Sequence, residues 1–145
     1  MKVLIINQSS IRTPRKFIDL WCGQIEKELL KSKIMKSSHQ KMQLTVVFLN
    51  APAAKKINLQ FRGRNYATDV LSFDPMEPDS LGELVLCPQV LQRQAKEHKL
   101  NYQLELGYMV LHGILHLLGY DHETSDRDAK KMFAIQDRIF ANLGV

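Results

Sequence analysis

The feature that most restricts how this chain can fold is the segment from Leu106 to Leu118, which is apolar nearly all the way round and still carries two histidines. A helix that is apolar on every side is a buried helix. Burying two imidazoles costs free energy unless their nitrogens find partners. His112 and His116 are four residues apart, so a helix stacks them on one face with Cβ atoms about 5–6 Å apart. Gly119 follows three residues later, where a left-handed residue ends a helix and reverses the chain. His122 arrives three residues after that, free of the helix. Three of the chain's five histidines thus fall in one short stretch.

Histidines four apart on a helix are often no more than satisfied core residues. The glycine and the third histidine in register favour a shared metal ion, which partners each imidazole at about 2.0–2.1 Å. Three protein nitrogens leave a fourth tetrahedral position for water, the open arrangement of a catalytic zinc rather than the closed one of a structural zinc. With no thiolate in register, the set suits one zinc ion, and nickel or copper as well. The spacing is that of the zinc-protease pattern H-E-x-x-H-x-x-G-x-x-H, except that Gly113 stands where the general-base glutamate belongs. That departure argues against peptide hydrolysis.

The 145 residues, 45% apolar and 24% charged, read as a single globular domain over 1–145 with a core of its own. A net charge of +5 favours an anionic partner without identifying one. Cys22 and Cys87 stand far apart and in no C-x-x-C arrangement, which suits reduced thiols in a cytosol. The apolar run Val3 to Ile6 is too short for a signal or membrane segment, so a cytoplasmic protein is expected.

Val3 to Asn7 reads as a short buried strand. Thr13 is a candidate N-cap with Pro14 at the first helical position, and Phe17, Leu20, Trp21, Ile25 and Leu29 form an apolar stripe for the core. Trp21 lies on that stripe and reads as packing rather than as a base-stacking platform. Lys31 to Lys41 loses the periodicity and reads as a basic surface loop. Gln43 to Leu49 is a strand. Asn50 can cap the helix that follows, with Ile57, Leu59 and Phe61 as buried positions and Gly63 at its end. Val70–Phe73 and Leu84–Cys87 are further strands, separated by a proline-rich acidic loop. A helix runs from Pro88 to Lys99, and the histidine helix starts at Tyr102. Ser125 and Asp128 form a capping-box pair for a last helix that presents Met132, Phe133, Ile139, Phe140 and Leu143 to the core. The order β-α-β-α-β-β-α-α-α implies an α+β fold with a mixed sheet and about five helices, the metal site lying at the end of a buried helix.

The run His112-Gly-Ile-Leu-His-Leu-Leu-Gly-Tyr-Asp-His122 resembles the signature of the YbeY family of bacterial metal-dependent endoribonucleases. A second block, Asn58-Leu-Gln-Phe-Arg-Gly63 followed by Thr68-Asp-Val-Leu-Ser-Phe73, resembles that family's other characteristic segment. Two positions depart from it: Ala67 and Asp74 stand where the family commonly has prolines. The resemblance covers nearly the whole chain. It implies a sheet of about four strands with the metal helix packed beneath it. It also implies cleavage of single-stranded RNA in 3′-end maturation of small-subunit ribosomal RNA and in ribosome quality control. Its partners would be ribosomal RNA and ribosome-associated proteins, with no membrane and no nucleotide cofactor.

Cleaving a phosphodiester puts further charge on the non-bridging oxygens, and something cationic should share it. Arg62 is the candidate, because a guanidinium pairs with phosphate through two parallel hydrogen bonds. The plainer reading of Arg62 is a surface arginine at a helix C-terminus, and the resemblance favours the catalytic one. Arg64, His39 and His98 stay outside the site. Glu105, seven residues before His112, and Asp121, beside His122, could accept a proton from an imidazole. Asp69 and Glu83 are further acids near the motifs. Two other readings remain: a zinc peptidase, and a non-catalytic ribosome-binding protein in which the metal only joins helix to turn.

Overall fold

The computed structural model describes residues 1–143. Among them four strands, β1 (Lys2–Asn7), β2 (Gln43–Phe48), β3 (Val70–Phe73) and β4 (Ser80–Leu86), form one sheet in the order β1-β2-β4-β3. β1, β2 and β4 run parallel, with Val46 between Ile5 and Leu84 in register. β3 returns antiparallel on β4, Leu71 opposite Val85. Five α-helices accompany it: α1 (Arg15–Lys31), α2 (Ala51–Arg62), α3 (Pro88–Glu97), α4 (Tyr102–Leu117) and α5 (Asp126–Asn142). The fold is therefore α+β with a mixed four-stranded sheet, as the element order implies.

Leu44, Val46 and Phe48 of β2 and Leu84 and Leu86 of β4 are at most 1% exposed and face the larger core, shared with α1, α4 and α5. Val47, Leu71 and Val85 point the other way and pack a smaller cluster with Ala54 of α2 and Val90 of α3. The alternation follows from the period of two along each strand.

α4 lies against the sheet, held close by glycine. A Cβ on Gly113 would stand 2.6 Å from Leu84 Cδ2, and one on Gly107 would stand 2.7 Å from the Trp21 ring. The Trp21 indole donates to the Gly107 carbonyl at 2.8 Å, so this tryptophan packs α1 onto α4. Among the described residues no helix is long and apolar enough to cross a membrane. Cys22 and Cys87 are free and buried. Burial, with Asp19 and Glu26 nearby, pushes the Cys22 thiol up to about 12.

Several expectations are corrected. β1 is an edge strand with alternating exposure rather than a buried one, because only β2 pairs with it. Leu20 is 70% exposed; the buried face of α1 runs through Ile18, Trp21, Cys22, Ile25 and Leu29, and a helix turns Leu20 away from that stripe. α1 begins at Arg15, which leaves Pro14 at the cap position without a side-chain hydrogen bond. Within Lys31–Lys41, Met35 is buried and Ser37–Lys41 winds into a 3-10 turn. Asn50 precedes α2 without capping it, its Oδ1 accepting instead from Ser10 and Gln89. Leu59 and Phe61 are exposed, the buried positions of α2 being Ala54 and Asn58. α3 ends at Glu97, short of Lys99. The Ser125 hydroxyl caps α5 through the Asp128 N–H, while the Asp128 carboxylate turns to Thr124.

Candidate metal centre

α4 carries His112 and His116 one turn apart, and its end presents the third imidazole. Gly119 adopts φ 102°, where glycine is unstrained. Its N–H returns to the His116 carbonyl and that of Tyr120 to Leu115. Asp121 then accepts the Glu123 N–H at 2.8 Å, a side-chain turn that points the chain back. This hydrogen bond, more than the imidazoles nearby, holds the Asp121 carboxyl below the usual range. Asp121 thus shapes the turn, and among the described residues it makes no hydrogen bond to an imidazole.

The three imidazoles close a near-equilateral triangle, with ring centroids 4.7, 5.1 and 5.0 Å apart. One nitrogen from each lies within 4.8 Å of the others, a group able to hold a metal ion. His116 Nε2 and His122 Nδ1 are 3.1 Å apart. Two neutral ring nitrogens at that distance repel unless a proton or a cation lies between their lone pairs. Ligand bonds of about 2.0–2.1 Å at a tetrahedral ion put two nitrogens about 3.3 Å apart. The donor set and its spacing therefore fit a divalent ion.

His112 is nearly enclosed at 7% exposure, and its Nδ1 lies 2.8 Å from Gln136 Oε1 of α5. An amide oxygen only accepts, so Nδ1 carries the proton and Nε2 keeps its lone pair for a ligand. Phe133 of α5 lies over the imidazoles, its ring stacked on His112 at 6.0 Å and 5.7 Å from His122. Burial lowers the pKa of both His112 and His116, opposed at His112 by the Gln136 contact and reinforced at His116 by the neighbouring imidazoles. Both rings are thereby kept neutral, the state a metal needs.

Gln136 is the site residue that sequence reasoning missed. It lies 0% exposed on the buried face of α5 with Met132 and Ile139. A glutamine on such a stripe needs a partner, which is the signal that was available. Its Nε2 is buried without a hydrogen-bond partner among the described residues, so the contact to His112 is its only return for being buried. Gln136→Leu frees the His112 tautomer and is expected to weaken metal affinity by about ten- to a hundred-fold. Competition against a chromophoric chelator measures this, and an unchanged affinity would remove Gln136 from the site.

A cleft of about 870 Å³ opens beside the imidazoles and is also lined by Arg62, Arg64, Asp69, Phe61 and Phe133. That volume is in the range of sites for whole ligands, about 300–1,000 Å³, well beyond an ion and its water. Arg62 ends α2, where Gly63 at φ 69° terminates the helix. Its Nη2 donates to the Ser72 carbonyl of β3 at 2.9 Å, which leaves the other donors of the fork available. Buried Asn58 donates to the Tyr66 carbonyl at 2.8 Å and pins the loop behind it.

The remaining sequence candidates separate. Glu105 is buried but faces His98, whose Nδ1 is 2.9 Å away, and makes no contact with His112. That hydrogen bond raises the pKa of exposed His98. Asp69 lines the cleft and accepts from Val70 N–H at 2.7 Å. Glu83 lies in a different hollow, with Asp74 and Glu77. Arg64, set outside the site above, lines the cleft and reaches Glu123 at 3.5 Å.

The family model for Endoribonuclease YbeY matches residues 5–144. A Bdellovibrio bacteriovorus protein called Endoribonuclease YbeY is 61% identical over 140 residues, 97% of this chain and 93% of its own length. One of the same name from Thermodesulfovibrio yellowstonii is 34% identical over 147 residues, 98% of this chain and 91% of its own. The solution structure of TM1509 from Thermotoga maritima is similar with a TM-score of 0.64 at 33% identity, covering 95% of this chain and 86% of that one. With a family model matched along almost all of its length and relatives aligned over nearly the whole of both chains, this chain belongs to the endoribonuclease YbeY family.

Proposed function

We propose that this chain is a metal-dependent endoribonuclease of single-stranded RNA, acting as one domain in 3′-end maturation of small-subunit ribosomal RNA and in ribosome quality control. His112, His116 and His122 hold one ion, zinc by preference, and Arg62 is the catalytic side chain. The observation that carries the reading is one cleft shared by the three-imidazole cluster and an arginine with donors to spare. When bound, such an ion polarises a phosphoryl oxygen and acidifies a water. The Arg62 fork holds the scissile phosphate and offsets the charge that develops on its non-bridging oxygens. Gln136 keeps the His112 tautomer in place, and Phe133 packs on the His112 and His122 rings.

Peptide hydrolysis lacks the general-base glutamate of the protease pattern, because Gly113 holds its position. The glutamate that the protease pattern requires would occupy position 113, whose Cβ runs into Leu84 in the sheet. A purely structural metal normally takes four protein ligands, and only three converge here among the described residues. The partners are ribosomal RNA and ribosome-associated proteins, and two buried free thiols suit a cytoplasmic setting. The test is cleavage of a defined single-stranded ribosomal RNA fragment and its duplex, with and without chelation. Chelator-sensitive cleavage of the single strand is expected; digestion of casein without action on RNA would overturn the reading.

A further inference from the structure

Phe61 is 58% exposed although it sits in the wall of the metal cleft. A lone exposed apolar side chain needs no explanation on an open surface. This one has a neighbour that orients it: its ring and that of Phe73 are nearly perpendicular at 5.2 Å and 77°, a contact that favours one plane and leaves much of the Phe61 side chain uncovered. Arg62 and Arg64 line the same cleft, Arg64 paired with Glu123 and Arg62 free of any carboxylate partner among the described residues, beside the acids Asp69, Asp74 and Asp121. An exposed aromatic ring next in sequence to an arginine with free donors is the arrangement by which proteins take single-stranded nucleic acid, a cation on the backbone and a ring under a base. A protein partner would call for a continuous apolar patch, whereas this cleft interleaves its apolar residues with Asn58, Arg62, Arg64, Asp69 and Ser72.

We propose that Phe61 is the stacking platform for one unpaired base of the strand whose phosphate Arg62 holds. The proposal rests on the endoribonuclease reading and adds a base subsite to it. Inside a duplex both faces of each base are already stacked, so a duplex with its ends closed by loops cannot use the platform. Phe61 would therefore give the cleft part of its preference for single strands. Because stacking tolerates every base, the subsite carries little sequence preference.

The experiment compares wild type, Phe61→Leu and Phe61→Trp, each with metal content and melting temperature checked. Each is titrated by anisotropy with a short single-stranded RNA, with its duplex closed by loops at the ends, and with a strand carrying abasic sites. Phe61→Leu is expected to bind the single strand about five- to a hundred-fold more weakly. Phe61→Trp should match wild type, and duplex binding should be unchanged in both. The loss should vanish on abasic RNA. The salt dependence of binding should stay as in wild type, because no phosphate contact is removed. Single-turnover cleavage should need more Phe61→Leu for half-maximal rate while the maximal rate moves less. If wild type cleaves RNA but Phe61→Leu binds as well as it does, or loses equally on abasic strands, the base subsite is overturned and the endoribonuclease reading stands. If wild type neither binds nor cleaves RNA, both fall.

Discussion

Replacing His116 by Ala empties the metal site, takes RNA cleavage with it, and leaves a protein that melts where chelated wild type melts. The expectation follows from the triangle of imidazoles: His116 lies 4.7 Å from His112 and 5.0 Å from His122 by ring centroid, and without it only two ligands remain. Elemental analysis should give about one divalent ion per wild-type chain and near none in His116→Ala. An ion held by these three imidazoles would join the end of α4 to the turn after Gly119, so its loss should reach stability. A ligand at a thousand times its dissociation constant stabilises the native state by about 4 kcal/mol, on the order of ten degrees in Tm for a chain of this size. Chelation should lower wild type by that amount and His116→Ala hardly at all. Occupancy that stays near one per chain in the variant would overturn the ligand assignment.

Acid should act on the metal-free protein in a direction set by burial. His112 and His116 have lowered pKa values in the folded chain, so the unfolded chain binds protons first. Stability is full above the ordinary histidine value of 6.5 and falls as pH drops through that value towards the lower folded one. The loss ceases once the folded rings take up protons as well.

The convergence of the three histidines was legible because its information is local. Two histidines one turn apart, a glycine that needs positive φ and a third histidine just beyond it define the triangle within a dozen residues. The end of α2 was legible for the same reason, Gly63 being the left-handed stop that places Arg62 at the helix terminus. What could not be read depends on contacts between distant segments. Glu105 shares a helical face with His112, but the end of α3 brings His98 to its carboxylate instead. The partner of His112 comes from α5, twenty-four residues away. Phe61 and Phe133 fit apolar patterns and were counted into the core, yet both line the cleft. Periodicity reports which face a residue occupies, and says nothing of whether that face meets the core or a cleft.

Arg62→Lys should slow cleavage by about ten- to a hundred-fold or more while binding changes far less. The guanidinium gives one donor to the Ser72 carbonyl at 2.9 Å, which orients the fork from β3 and leaves paired donors for a phosphate. Lysine keeps the charge but cannot hold the β3 carbonyl and pair two phosphate oxygens in one plane. A charge-assisted hydrogen bond contributes about 1.5–3 kcal/mol, and its loss from the transition state gives that range of rates. Binding falls less, because the metal site and the remaining basic residues still attract the strand. Arg62→Ala should in addition reduce the salt dependence of binding by about 0.7 in log–log slope, one phosphate contact on a single strand, whereas Arg62→Lys should leave it nearly unchanged. Arg62 is exposed, so neither variant should fail to fold, and metal content serves as the control. Single-turnover cleavage of a single-stranded ribosomal RNA fragment separates the outcomes. Equal rates in all three proteins would remove Arg62 from catalysis, and a lysine variant that cleaves like wild type while alanine fails would reduce its part to charge alone.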